Sequence, residues 1–371
     1  MPPEEDTPHS SNEQDLACHS CGADLKYEPG ASALACPYCG EQNEVEVLQD
    51  IVGEQDFHAF LAKGQQEEQT YEVLTAKCDS CGAESTRDPN VASDACPFCG
   101  TTLSTETESR KLIKPQSLLP FKVAVDEAKQ SFRKWLASLW FAPSKLKKMK
   151  NADHGMQGVF LPHWTYDSET TSNYVGQRGI YYWVNESYTT TNSKGNSVRR
   201  TRRVRRTRWY PARGVAHNSF DDILVLASES LPRKYVAELE PWGLEDLVSY
   251  DSRYIAGFKC ESYTVALENG FEDAQRQMTP AIKQSIRRDI GGDTQRIHDF
   301  NSSHKDVTFK HILLPVWISS YRYQDKVYRF VVNARTGEVQ GERPWSKVKI
   351  AAAILAGLLA IGSIVWYTQT H

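Results

Sequence analysis

Eight of the nine cysteines lie before Gly100, and they carry the spacing of metal ligands. Cys18, Cys21, Cys36 and Cys39 follow C-x2-C-x14-C-x2-C, and Cys78, Cys81, Cys96 and Cys99 repeat that spacing sixty residues later. The flanks repeat as well, CHSCGADL against CDSCGAES and ACPYCG against ACPFCG, so an internal duplication is the simplest account. Each C-x2-C turn sets two sulfurs about a common point, and the glycine after each pair frees the backbone to turn its amides toward them. Two such turns at the ends of a short hairpin close a tetrahedral site with no position left for water, which is structural rather than catalytic coordination. An iron–sulfur centre or a redox pair could use the same residues. Two identical four-cysteine sets favour zinc, two structural Zn2+ ions in all. The ninth cysteine, Cys260, reads as a buried core thiol, and His19 and His58 read as solvent-facing.

A second signal is the run VRRTRRVRRTRWY, Val198 to Tyr210, which carries Arg199, Arg200, Arg202, Arg203, Arg205, Arg206 and Arg208. It follows the aromatic and β-branched stretch GIYYWVNESYTTT and the turn-forming NSKGNS, an order that predicts a basic hairpin over 180–210. On a strand, Arg199, Arg203 and Arg205 share one face and Arg200, Arg202, Arg206 and Arg208 the other. Neither face can be core, so the hairpin must project, by roughly 35 Å. Thr201, Val204 and Thr207 disfavour a helix. These guanidinium groups suit an anion: a phospholipid surface, an acidic protein or nucleic acid.

The elements that position these groups follow from composition. Of 371 residues, 40% are hydrophobic and 24% charged, which is globular and long enough for more than one domain. The net charge of -4 hides a division. Residues 1–110 hold 22 acidic and 5 basic side chains, net -17, while residues 111–371 hold 25 and 38, net +13. A four-thiolate zinc site would add to the acidity of the first part. The opening MPPEEDTPHSSNEQD has neither a basic nor an apolar signal region, so residues 1–15 are expected to be a disordered acidic tail that starts in the cytosol. Thiols stay reduced there, which again points to metal rather than disulfides.

Near the other end, Ile350 to Tyr367 is uncharged, and as a helix about 27 Å long it just crosses a hydrocarbon core. Arg343, Lys347 and Lys349 precede it, and Trp366 and Tyr367 mark its far edge. The expectation is a C-terminal membrane anchor over 346–371 at the plasma membrane, with the bulk of the chain on the cytoplasmic side by the positive-inside rule. Ala352, Ala356 and Ala360, beside Ala353 and Gly357, form a small-residue stripe through which the helix could pair as a homo-oligomer.

Between these ends the fold class reads as α+β. The predicted organisation is a first ribbon over 16–48, a linker or short helix over 49–75, a second ribbon over 76–110, and an α+β domain of two related halves over 111–345. Apolar spacing at Ala128, Phe132, Trp135, Leu136 and Leu139 predicts a helix ending at Pro143. FKVAV at Phe121 matches YTVAL at Tyr263, and LPHW at Leu161 matches LPVW at Leu314, so a strand–helix piece and a strand piece each occur twice, with NARTGE as a hairpin turn. No phosphate loop, dinucleotide fingerprint, H-E-x-x-H or G-x-S-x-G occurs, and the expectation is a protein without catalytic function.

The tandem ribbon followed by LLPF, GVFLPHWTY, SFDDILVLAS, LEPW, YIAGFKCESYTVAL and LLPVW with NARTGEVQGERPWS resembles a family of bacterial membrane-anchored zinc-ribbon proteins. Its members are often labelled primosomal or superfamily II helicase-like, and some are encoded beside phage-shock-type and flotillin-like proteins. The resemblance implies a scaffold or adaptor in membrane-stress or membrane-maintenance assemblies, with protein partners. The helicase label finds no motor motif here. The main alternative is a membrane-tethered nucleic-acid-binding protein that uses the arginine hairpin, and the plainest is a hairpin that is merely solvated or pairs with the chain's own acidic segment.

Overall fold

The computed structural model describes residues 16–31, 33–44, 53–63, 70–80, 83–86, 96–98, 100–103, 108–144, 146, 155–191, 195–324 and 326–370. The expected tail over 1–15, together with Cys81 and Cys99, lies outside them. The architecture is mixed α+β. β1 (Lys26–Tyr27), β2 (Ala33–Ala35) and β3 (Gln42–Glu44) pair antiparallel in a first small sheet. β4 (Gln55–Asp56) and α1 (Phe57–Lys63) follow, and then β5 (Thr70–Lys77), β6 (Glu84–Thr86) and β7 (Glu108–Ile113) make a second small sheet with β5 in the middle. β8 (Ser117–Leu118) leads to α2 (Val125–Ser138). Two long strands, β9 (Gln157–Thr191) and β10 (Ser197–Leu226), form a hairpin. α3 (Arg233–Ala237), β11 (Val248–Ser249), α4 (Ser252–Ile255) and β12 (Lys259–Cys260) connect it to α5 (Leu267–Ile290). β13 (Thr294–Tyr323), β14 (Lys326–Asn333) and β15 (Val339–Gly341) complete the main sheet, in the order β10-β9-β13-β14-β15, and α6 (Lys347–Thr370) follows.

Burial falls steadily along β9. Val159 to Tyr166 are buried without alternation, because both faces of the sheet are covered there. From Ser168 to Gly176 only every second residue is buried, so one face is wet. α5 covers the other face with a helical stripe of Phe271, Ala274, Met278, Ile282, Ile286 and Ile290. β13 stays paired with β9 only as far as Thr294 opposite Gly179. Beyond that point β9 and β10 run on as a two-stranded ribbon.

One hydrogen-bond pattern occurs twice. The Trp164 indole N–H donates to Val265 O (3.0 Å), and the Trp317 indole N–H donates to Val123 O (2.8 Å). Ala227 N–H donates to Pro162 O (3.0 Å), and Ala334 N–H donates to Pro315 O (3.1 Å). Thr264 and Val265 amides bond Ala227 O just as Lys122 and Val123 amides bond Ala334 O. LPHW and LPVW lie side by side on neighbouring antiparallel strands, with Leu161 opposite Leu314. The pairing is crossed: the segment leading into α2 binds the β13–β14 hairpin, while the segment leading into α5 binds β9–β10. Asn333 and Glu338 close the NARTGE turn, where Gly337 takes the positive φ of 78° that glycine tolerates without strain.

Both small sheets dock on this core. Leu25, Tyr27 and Leu34 of the first pack with Phe132, Leu136 and Tyr254. Ala76 of the second, with Phe98 and Leu103 from the chain between β6 and β7, packs with Val159, Leu161 and Leu314. Within the stretch expected as a linker or short helix, α1 is that short helix, and its Phe57 and Phe60, buried against Phe271 and Phe309, strap the segment to the core.

Glu261 is buried where the second small sheet meets the core. Ser228 Oγ donates to it (2.6 Å), and burial pushes its carboxyl up to about 8 from an ordinary 4.5. A raised carboxyl contributes stability that is complete below pH 4.5 and is lost as pH rises through 8. Glu261→Gln, which mimics the neutral acid, is therefore expected to stabilise the chain by about 3 kcal/mol at pH 7 and by little at pH 4.5. Thermal unfolding of the full-length protein in detergent at the two pH values checks this; a pH-independent difference would contradict it.

Candidate functional site

Cys18 and Cys21 sit on one tight turn and Cys36 and Cys39 on another. Gly22 N–H donates to Cys18 O (2.8 Å) and Gly40 N–H to Cys36 O (3.0 Å), with both glycines at positive φ, 72° and 75°. Cys18 N–H reaches Ala23 O (2.8 Å), and Cys36 N–H reaches Glu41 O (2.9 Å). The turns face each other so that all four Sγ atoms lie within 4.8 Å of one another. Cys18 Sγ is 3.6 Å from Cys39 Sγ, and Cys21 Sγ is 3.5 Å from Cys36 Sγ. A four-thiolate tetrahedron with metal–sulfur bonds of about 2.3 Å has edges of about 3.8 Å, so the group can hold a metal ion. Backbone amides favour the thiolate at Cys36. Amides of Cys39 and then Tyr38 draw the Cys36 thiol down to about 6. At Cys39 the Glu41 amide acts the same way, but the neighbouring Cys36 sulfur and burial outweigh it and raise the thiol to about 12. Four thiols this close cannot all ionise without a cation among them.

At the second set, Cys78 and Cys96 are buried, and their partners Cys81 and Cys99 fall outside the described residues. The backbone pattern of the first set recurs: Cys78 N–H donates to Ala83 O (2.9 Å), Cys96 N–H to Thr101 O (2.8 Å), and Gly100 N–H to Cys96 O (2.9 Å). Gly100 has φ 75°. Cys260, on β12, is half-buried, and burial raises its thiol to about 12. His19 and His58 are exposed.

All seven arginines, Arg199, Arg200, Arg202, Arg203, Arg205, Arg206 and Arg208, lie exposed on β10, in the two-stranded part of the hairpin. Their partners on β9 run from Thr189, opposite Arg199, to Ile180, opposite Arg208. The ribbon starts abruptly because Asp293, just ahead of β13, accepts the Tyr181 amide (2.7 Å) where a third strand would have continued. Twelve residues on each strand, from Ile180 to Thr191 and from Ser197 to Arg208, give a reach of about 40 Å.

Aromatic rings organise the charge. Arg203 lies over Trp183 at 5.1 Å, Arg205 over Tyr181 at 4.3 Å, Arg202 over Tyr188 at 5.4 Å and Arg208 over Tyr182 at 5.1 Å. A stacked guanidinium keeps its N–H edge free while losing rotamer freedom, so it is preorganised for a phosphate or carboxylate. Glu186 pairs with Arg206 and, at 3.6 Å, with Arg202, and Arg206 above all holds its carboxyl below the usual range. Among the described residues no carboxylate pairs with Arg199, Arg200, Arg203, Arg205 or Arg208, and no ion pair joins the hairpin to the acidic N-terminal segment. In the sequence the arginines stand out as a run, whereas Tyr181, Tyr182, Trp183 and Tyr188 look like strand formers only. Their signal was their place directly across a hairpin turn.

A second polar cluster had no sequence signal. Carboxylates of Glu54, Asp167 and Asp221 approach within 4.8 Å at a bulge in β10. The Lys310 ammonium pairs with Glu54 (3.2 Å) and Asp222 (2.8 Å) beside them. Burial, and after it the hydrogen bond with Glu54, pushes Asp167 up to about 6. The single lysine offsets part of the negative charge of these carboxylates.

α6 is long and apolar enough to cross a membrane: Lys347–Thr368 has a mean hydropathy of 2.3 and none of it is buried against the rest of the chain.

Compared with known proteins, the chain is 26% identical over 340 residues to an uncharacterized protein, YdjG, of Bacillus subtilis (strain 168). The match spans 90% of this chain and 91% of that protein. No family model and no solved structure matches.

Proposed function

We propose that the chain is a non-enzymatic, membrane-anchored adaptor that presents a basic, aromatic hairpin to anionic phospholipid headgroups, with its zinc-bearing ribbons as protein-recruiting modules. One observation carries the reading: a projecting two-stranded ribbon whose guanidinium groups are exposed on both faces, stacked on rings and largely without carboxylate partners. A solvated charge run does not need that stacking. The four-thiol group supports zinc in the first ribbon, and the matching backbone bonds at Cys78 and Cys96 support a second ion held with Cys81 and Cys99. The doubled hydrogen bonds around Trp164 and Trp317 support descent of the α+β region from a duplicated half. α6 serves as the anchor in this reading, and Arg343, Lys347 and Lys349, ahead of the uncharged run that starts at Ile350, support a cytoplasmic side for the bulk of the chain. Tethering a +13 region beside an anionic surface adds up to about 1 kcal/mol per basic residue near the headgroups.

A second reading has its own support. A two-stranded β-ribbon fits the major groove of duplex DNA, and stacked arginines suit phosphate. Full-length protein in nanodiscs of uncharged lipid separates the two. Capture of vesicles containing anionic phospholipid, but not of zwitterionic vesicles, is the expected result. Capture of duplex DNA alone would favour the second reading, and capture of neither at low salt would sink both.

A further inference from the structure

α6 does not leave the folded domain as a free tether. Ser346 N–H donates to Phe141 O (2.8 Å), and Lys349 Nζ donates to Ala142 O (2.8 Å) and Trp140 O (3.2 Å). The first turn of the apolar helix is thus bonded to the loop that follows α2. Lys349 immediately precedes Ile350, where the uncharged run begins, so the Trp140 backbone lies within one side chain of the hydrocarbon boundary. At that place two indoles are turned outward, Trp140 at 76% exposure and Trp345 at 55%. Phe141 lies 6.3 Å from the Trp345 ring, and the Arg343 guanidinium stacks on that same Trp345 indole at 4.6 Å. Lys145, Lys147, Lys148 and Lys150 follow in the sequence.

Large exposed indoles with basic neighbours at the foot of a spanning helix match the chemistry of the headgroup layer, where an amphipathic ring buries its body and keeps its N–H wet. In water they would form a costly apolar patch. We infer that the Trp140–Trp345 face is a membrane seat: the loop after α2 lies in the headgroup layer of the bilayer that α6 crosses and fixes the orientation of the whole domain on it. This rests on α6 being a spanning helix and is independent of what the arginine hairpin binds. The lysine bonds have a defined part in it. Lys349 turns back to the domain carbonyls rather than toward phosphate, so it works as a clasp between helix and seat.

The test uses full-length protein carrying 5-fluorotryptophan, in nanodiscs doped with a lipid whose headgroup bears a gadolinium chelate, with each 19F resonance assigned by a Trp→Phe variant. The seat predicts strong broadening at Trp140 and Trp345, together with Trp366 at the far end of α6, while the buried Trp164 stays sharp. It also predicts that Lys349→Ala weakens the broadening at Trp140 and leaves Trp366 unchanged. Broadening at Trp366 with Trp140 as sharp as Trp164 would overturn the seat and leave the anchor standing. No broadening at Trp366 would overturn the anchor and the seat with it. Trp183 reports separately on the hairpin in the same spectrum.

Discussion

If each four-cysteine set holds one zinc ion, as proposed, Cys36→Ser is expected to lower the zinc content of the full-length protein from two equivalents to one and to release the first small sheet from the core. Cys36 is the thiol that amides prepare for ionisation, and its sulfur lies 3.5 Å from that of Cys21. Structural zinc contributes on the order of 10 kcal/mol to the folding of small four-ligand modules, far more than strands of two or three residues can supply. Without the ion, Leu25, Tyr27 and Leu34 lose their fixed frame, and each buried side chain of that size is worth about 1.5–3 kcal/mol. Protease should then cut within residues 16–44 while the main sheet survives, because the β9–β13 seam does not involve the cysteines. Cys260→Ser should leave the metal content at two. Metal analysis by mass spectrometry beside limited proteolysis reads both effects. Retention of two equivalents by Cys36→Ser would show that this quartet is not the site.

Replacing Arg203, Arg205 and Arg208 together by glutamine is expected to weaken capture of anionic vesicles about a hundredfold at low salt. The size follows from about 1 kcal/mol per basic residue near headgroups and about 1.4 kcal/mol per tenfold in affinity. These three are stacked on Trp183, Tyr181 and Tyr182 and have no described carboxylate partner, so nothing within the chain competes for them. Arg202 and Arg206 share Glu186, and their loss should cost less per residue. Salt separates the readings further. Seven arginines on duplex DNA phosphates would give a slope of log affinity against log salt of about -6, and each glutamine would flatten it by about 0.9. Vesicle co-sedimentation and DNA titration across a salt series measure both quantities.

The sequence pattern carried the chemistry further than the assembly. Cysteine spacing located the quartet, and the apolar stripe at Ala128, Phe132 and Leu136 located α2, because both are local. The strand piece at LPHW and the GIYYWVNESYTTT arm of the basic hairpin read as separate elements. They are one strand of 35 residues. Gly176 and Gly179 are there for close approach and not for a turn: a Cβ at Gly176 would meet Arg296 O at 2.3 Å. The repeated order of helix and strand pieces was legible, but the crossed pairing was not, since Trp317 and Val123 are 194 residues apart and similarity says nothing about which copy each helix covers. A short helix over 49–75 was within the expectation, but its docking through Phe57 and Phe60 was not legible because two phenylalanines in a polar stretch give no period, nor was the Glu54–Asp167–Lys310 cluster, whose members come from three distant segments.

In the proposed function the arginine hairpin meets anionic lipid on the membrane that α6 crosses. Placing a photo-reactive benzoylphenylalanine at position 183 of the full-length protein, irradiating intact cells and identifying the adducts by mass spectrometry tests it most directly. The account predicts phospholipid adducts whose yield falls sharply when Arg203, Arg205 and Arg208 are glutamine. Adducts confined to nucleic acid or to the chain's own acidic segment, or a lipid yield indifferent to those arginines, would contradict it.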